Sequence, residues 1–71
     1  MIYSEVSGTV NKILVLKNQT IDIETDLLII ECMKMYIPVT AKKRGKIINI
    51  FIKEGDSISE GDQLLDINYD F

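Results

Sequence analysis

The segment Glu31-Cys32-Met33-Lys34-Met35 holds the residues of this chain best suited to chemistry. Lys34 carries a primary amine on a long, flexible stem, and that amine is a nucleophile once neutral. Its attack on an activated acyl group gives a stable amide and removes one positive charge. Two methionines flank it. Exposed methionines cost solvation without aiding a fold, whereas soft, adaptable methionine surfaces serve recognition. The plain alternatives are that Lys34 is one surface lysine among seven and that the methionines fold back onto the core. Cys32 is the lone cysteine, so an internal disulfide is excluded, and its expected state is a small buried hydrophobe. Histidine is absent, which removes Ser-His and Cys-His couples and histidine-based zinc sites.

These residues must be held by strands. Thirteen of the 71 residues are isoleucine and four are valine, against a single alanine. β-Branched side chains favour strands over helices. Short apolar runs alternate with polar stretches: Ile13–Leu16, Leu27–Ile30, Ile37–Val39, Ile47–Ile52 and Leu64–Ile67. None keeps a helical period, and closely spaced strands separated by turn residues indicate an all-β barrel or sandwich.

The chain also repeats. A shift of 37 residues places Gly8 on Gly45, Ile13 on Ile50, Ile21 on Ile58, Leu27 on Leu64, Leu28 on Leu65 and Ile30 on Ile67. Val10 with Ile47 and Val15 with Ile52 are conservative matches. Two copies are too few for a solenoid, so the expected architecture is one domain over residues 1–71 with a pseudo-two-fold axis. In both copies the apolar parity slips, between Val10 and Ile13 and between Ile47 and Ile50, which predicts a bulge or bend at matching places. Lys53-Glu54-Gly55-Asp56 and Glu60-Gly61-Asp62 are good turns, with glycine free to adopt positive φ. Their first-half counterparts hold Asn18 and Glu24. Glutamate tolerates positive φ poorly, so the turn at Glu24 is expected to differ from its partner. Lys34 lies near the middle of the repeat, on a tip between two strand-like runs. That tip lacks the Gly or Asn-Gly that a type I′ hairpin favours. Failures of local rules tend to fall on functional positions.

Composition narrows the partners. Eleven acidic residues against eight basic ones give −3, which argues against a nucleic-acid binder. The basic run Lys42-Lys43-Arg44 reads as a solvated turn. The five aromatics, Tyr3, Tyr36, Phe51, Tyr69 and Phe71, are scattered rather than arranged as a stacking platform. No stretch approaches 18 apolar residues, so no membrane helix is expected. The first residues lack the basic and apolar regions of a signal peptide, and a cytoplasmic location is expected.

Glu31-Cys32-Met33-Lys34-Met35 resembles the Glu-Ala-Met-Lys-Met attachment motif of the biotinyl/lipoyl domain family. The resemblance extends to Gly8-Thr9-Val10, Val39, Ala41, Gly45, Ile47, Lys53-Glu54-Gly55-Asp56, Gly61 and Leu64 at the family's spacing, and so covers roughly residues 3 to 67. It implies a flattened β-barrel of two antiparallel sheets, a barrel-sandwich hybrid. It also implies covalent biotin on Lys34, with Met33, Met35 and Glu31 read by biotin protein ligase. The implied function is that of a biotin carboxyl carrier, with no catalytic residue of its own. Such a carrier moves a carboxyl group between biotin carboxylase and carboxyltransferase subunits of an enzyme such as acetyl-CoA carboxylase, in fatty acid biosynthesis. The alternative is a lipoyl carrier of a 2-oxoacid dehydrogenase or glycine-cleavage system, or attachment of both cofactors. The lipoyl family, however, favours Asp-Lys-Ala at its lysine. The chain departs from the family pattern at Cys32, where alanine is usual, at Asn18 and Glu24, where glycine is usual, and at Tyr36, expected to pack against the cofactor ring or on the barrel.

Overall fold

A computed structural model describes residues 1–69, so Phe71 lies outside the described residues. The strands are β1 (Ile2–Tyr3), β2 (Gly8–Ile13), β3 (Thr20–Ile21), β4 (Asp26–Cys32), β5 (Met35–Thr40), β6 (Gly45–Ile50), β7 (Ser57–Ile58) and β8 (Gln63–Asn68). They form two antiparallel four-stranded sheets, ordered β1-β8-β6-β3 and β5-β4-β2-β7. The shift of 37 residues carries β1 onto β5, β2 onto β6, β3 onto β7 and β4 onto β8, and so exchanges the sheets.

The expected bulges are present. The β2–β4 register breaks between Val10 and Lys12, and the β6–β8 register breaks between Ile47 and Asn49, the matching position. A second matched irregularity falls on β4 at Asp26–Leu28 and on the β1–β8 pairing. There the consecutive residues Leu27-Leu28 and Leu64-Leu65 are all fully buried. With Val10, Ile21, Ile30, Ile47, Ile58 and Ile67 they form one core between the sheets. Each fully buried aliphatic side chain stabilises the fold by roughly 1.5–3 kcal/mol relative to exposure.

Two sequence expectations need correction. The run Ile13–Leu16 is not a strand beyond Ile13: Leu14 and Leu16 are exposed and only Val15 enters the core. Past the bulge the chain leaves its sheet to cross to the other, and Phe51 repeats the behaviour of Leu14. The N–H of Leu14 donates to the Leu27 carbonyl as that of Phe51 does to Leu64, both at 2.9 Å.

The turn at Glu24 does not differ from its partner. Glu24 has φ +64° and Gly61 φ +92°; Asn18 has φ +73° and Gly55 φ +95°. The same backbone bonds hold both copies. Glu24 N–H donates to the Ala41 carbonyl at 2.8 Å, and Gly61 N–H donates to the Ser4 carbonyl at 2.8 Å. The pairing overrides the left-handed penalty of about 1–2 kcal/mol for an L-residue. Glu24→Gly removes that penalty but adds freedom to the unfolded chain. Its expected net effect is a gain of about 0.5–1 kcal/mol, read as a higher urea midpoint with unchanged slope.

Lys42, Lys43 and Arg44 form the exposed β5–β6 turn, and Arg44 Nε donates to Asp22 Oδ1 at 3.0 Å. The Ile23 N–H donor, then Arg44, hold the Asp22 carboxyl below its usual value.

Candidate attachment site

β4 and β5 form a two-residue hairpin in which Cys32 pairs with Met35 and Met33-Lys34 make the turn. Met33 has φ +52° and Lys34 φ +64°, the positive pair that a type I′ turn requires. Neither residue is Gly or Asn. The hairpin is therefore closed by residues that disfavour its backbone, at about 1–2 kcal/mol each, and the flanking ladder supplies the difference.

Neither methionine folds back. Met33 is 91% and Met35 66% exposed, and Lys34 and Glu31 are exposed as well. Among the described residues no ion pair or side-chain hydrogen bond engages Lys34 or Glu31. The tip thus presents one ammonium between two soft apolar side chains.

Register builds the surroundings. Glu31 lies directly opposite Tyr36 on β5 and Thr9 on β2, and Thr9 lies opposite Ser57 on β7. Directly opposed residues share a face. Tyr36, Glu31, Thr9 and Ser57 therefore line one exposed row just behind the tip. Tyr36 is 63% exposed, so it does not pack on the barrel. Cys32 is half-buried and free rather than fully buried as expected, because it flanks the turn, past the last full layer of core residues. Gly8 backs this row. A Cβ there would collide with the Glu31 carbonyl oxygen, a contact only glycine avoids. In the sequence Thr9 stands out only within the Gly8-Thr9-Val10 match and Ser57 not at all, because their place beside Glu31 depends on strand pairing.

A small two-sheet barrel that holds a lysine out on a strained hairpin tip has the build of a carrier domain. Comparison with known proteins sharpens that class. The family model described as "Biotin-requiring enzyme", the biotin/lipoyl family, matches residues 1–67, and the chain belongs to this family. It is 34% identical over 64 residues to the biotin/lipoyl attachment protein of Bacillus subtilis (strain 168), covering 90% of this chain and 88% of that protein. It is 42% identical over 62 residues to the urea amidolyase of Lachancea kluyveri, covering 87% of this chain and only 3% of that protein. Among solved structures, the Kluyveromyces lactis urea carboxylase superposes with a TM-score of 0.86 at 33% identity, over 93% of this chain and 6% of that one. A single-chain, multi-domain long-chain acyl-CoA carboxylase superposes at 0.91 and 20% identity, over 96% of this chain and 7% of that one, which shows the shared fold. The family implies a covalently attached biotin or lipoate.

Proposed function

We propose that Lys34 is the attachment lysine and that the chain is a biotin carboxyl carrier serving a biotin-dependent carboxylase. One observation carries the reading: Lys34 bears the one amine of the two-residue turn, and it stands exposed between exposed Met33 and Met35 with no ion pair or side-chain hydrogen bond among the described residues.

The residues fit the group. The tip leaves the amine open to an acyl donor, and acylation takes the formal net charge from −3 to −4. When bound, biotin supplies the ability to accept and release a carboxyl group. Everything else the chain does is placement. The β4–β5 ladder fixes the tip, the lysine stem gives reach, and tethering keeps the carried group at high effective concentration near both partner sites. Met33, Met35 and Glu31 are the surface a biotin protein ligase would read, with biotin carboxylase and carboxyltransferase subunits as later partners and the cytoplasm as the setting. Likeness to carboxylase and urea amidolyase segments supports biotin and leaves the carboxyl acceptor open. Acetyl-CoA is one candidate acceptor. The Bacillus relative, whose name covers both cofactors, supports lipoate on the same lysine as the second reading.

Intact mass of the protein from its native host tests this. A biotinyl increment with avidin binding is expected, a lipoyl increment selects the second reading, and an unmodified mass after co-expression with biotin ligase and excess biotin overturns the attachment.

Met33 gives a finer test. Asparagine tolerates positive φ better than methionine. Met33→Asn is therefore expected to stabilise the fold by about 0.5–1 kcal/mol in urea, while lowering the kcat/KM of ligase loading. A variant that both stabilises and loads normally would mean that Met33 is not read.

A further inference from the structure

The two halves meet along two sides of the barrel, and the sides are unlike. On the β3 and β7 side, segments 14–19 and 51–56 cross between the sheets. Each is tied down by the backbone: Val10 N–H donates to Asp56 at 2.9 Å and Ile47 N–H to Gln19 at 2.9 Å. On the other side the edge strands β1 and β5 face each other with no backbone hydrogen bond between them among the described residues. A groove of about 400 Å³ runs along this open seam. Half-buried Ile2, Val6, Ile37 and Val39 line it over the fully buried Ile30, and Glu5 and Lys42 stand at its rim.

The edge itself is closed to a partner strand. In a two-residue hairpin the pair flanking the turn is hydrogen-bonded and the pairs then alternate, so the Ile29–Pro38 pair is not hydrogen-bonded. Pro38 thus turns its nitrogen to the free edge, where it has no proton to donate. β1, with two residues, offers no longer template. The volume falls in the range of small-molecule sites.

We infer that this seam is the resting site of the group carried on Lys34: a sulfur-containing ring on a five-carbon acyl chain, the chemistry that biotin and lipoate share. The inference rests on attachment at Lys34. Reach permits it. The near wall, Ile37, is three residues along β5, roughly 10 Å from Lys34 at the usual strand rise. A lysine stem amide-linked to a five-carbon chain spans about eleven bonds, roughly 14 Å extended. Charge favours it too. The free ammonium holds the stem in water, and converting it to a neutral amide removes that hold, leaving a largely apolar arm beside an apolar groove.

Methyl NMR of the unloaded and fully loaded wild-type protein tests the site, with intact mass recorded on each sample. On loading, the methyl resonances of Ile2, Val6, Ile37 and Val39 are expected to shift and to show contacts to the arm, while Ile21 and Ile58 on the closed side stay fixed. A mass gain with shifts confined to residues 32–36 overturns the resting site and leaves the attachment intact. An unchanged mass overturns both.

Discussion

Replacing Lys34 with arginine is expected to abolish cofactor attachment completely. Lys34→Arg keeps the positive charge and much the same length at the tip, so electrostatic attraction to a ligase is retained. Only the nucleophile changes. An ammonium loses its proton readily enough to give an attacking amine, whereas a guanidinium stays protonated at any working pH. Both residues also meet the same left-handed backbone cost at φ +64°, so stability should move by less than about 0.5 kcal/mol. The readout is intact mass after co-expression with ligase, with urea unfolding as the control for the fold. The remaining six lysines serve as an internal comparison. Lys12 and Lys46 lie within strands and Lys17, Lys42, Lys43 and Lys53 in bends or sheet crossings, and none is flanked by methionines. An adduct persisting on Lys34→Arg would move the attachment to one of them and remove the role argued for the tip.

How much of the fold and site is legible in the sequence depends on the physics behind each feature. The repeat is legible because equivalent core positions demand equivalent side chains: Leu27-Leu28 and Leu64-Leu65 meet the same burial in both halves. The bulges are legible because one extra residue in a strand shifts the side-chain alternation by one, and Val10/Lys12 and Ile47/Asn49 carry them where the apolar parity slips. Glu24 misleads when intrinsic backbone preference is weighed alone. The bond from its N–H to Ala41, fixed by the symmetry of the fold, outweighs that preference. The run Ile13–Leu16 misleads for a related reason: apolar composition cannot tell a strand from a crossing that touches the core with Val15 alone. The place of Lys34 on a tip is legible from the strand-like runs on either side of it. The row Tyr36–Glu31–Thr9–Ser57 and the β1–β5 groove are not, since both depend on which strands pair and which edges are left facing, and no local pattern encodes that.

The second large effect is expected at the two paired glycines, and it separates fold from site. A Cβ on Gly45 would stand 2.6 Å from the Asn68 carbonyl oxygen and 2.7 Å from Ile67 Cγ2. A Cβ on Gly8 would meet the Glu31 carbonyl oxygen and Ile30 Cγ2, the same contacts 37 residues earlier. In each case the obstacle includes backbone of a core strand, which cannot swing aside as a flexible side chain would. Gly8→Ala and Gly45→Ala are each expected to cost about 3 kcal/mol, the upper end for overpacking. That is a large part of the roughly 4–10 kcal/mol typical of a domain of 71 residues. Urea unfolding should report similar losses for both, because the pseudo-two-fold makes the contacts equivalent. Loading should not be equivalent. Relief of the clash at Gly8 must displace Glu31, three residues from Lys34 and next to the strained turn, whereas relief at Gly45 displaces Asn68 at the end of β8. Measured under conditions where both variants are folded, ligase kcat/KM should fall several-fold for Gly8→Ala and stay near wild type for Gly45→Ala. Equal kinetics at equal destabilisation would mean that the tip is read without its supporting row, and that Glu31 is exposed beside Lys34 for reasons of fold alone.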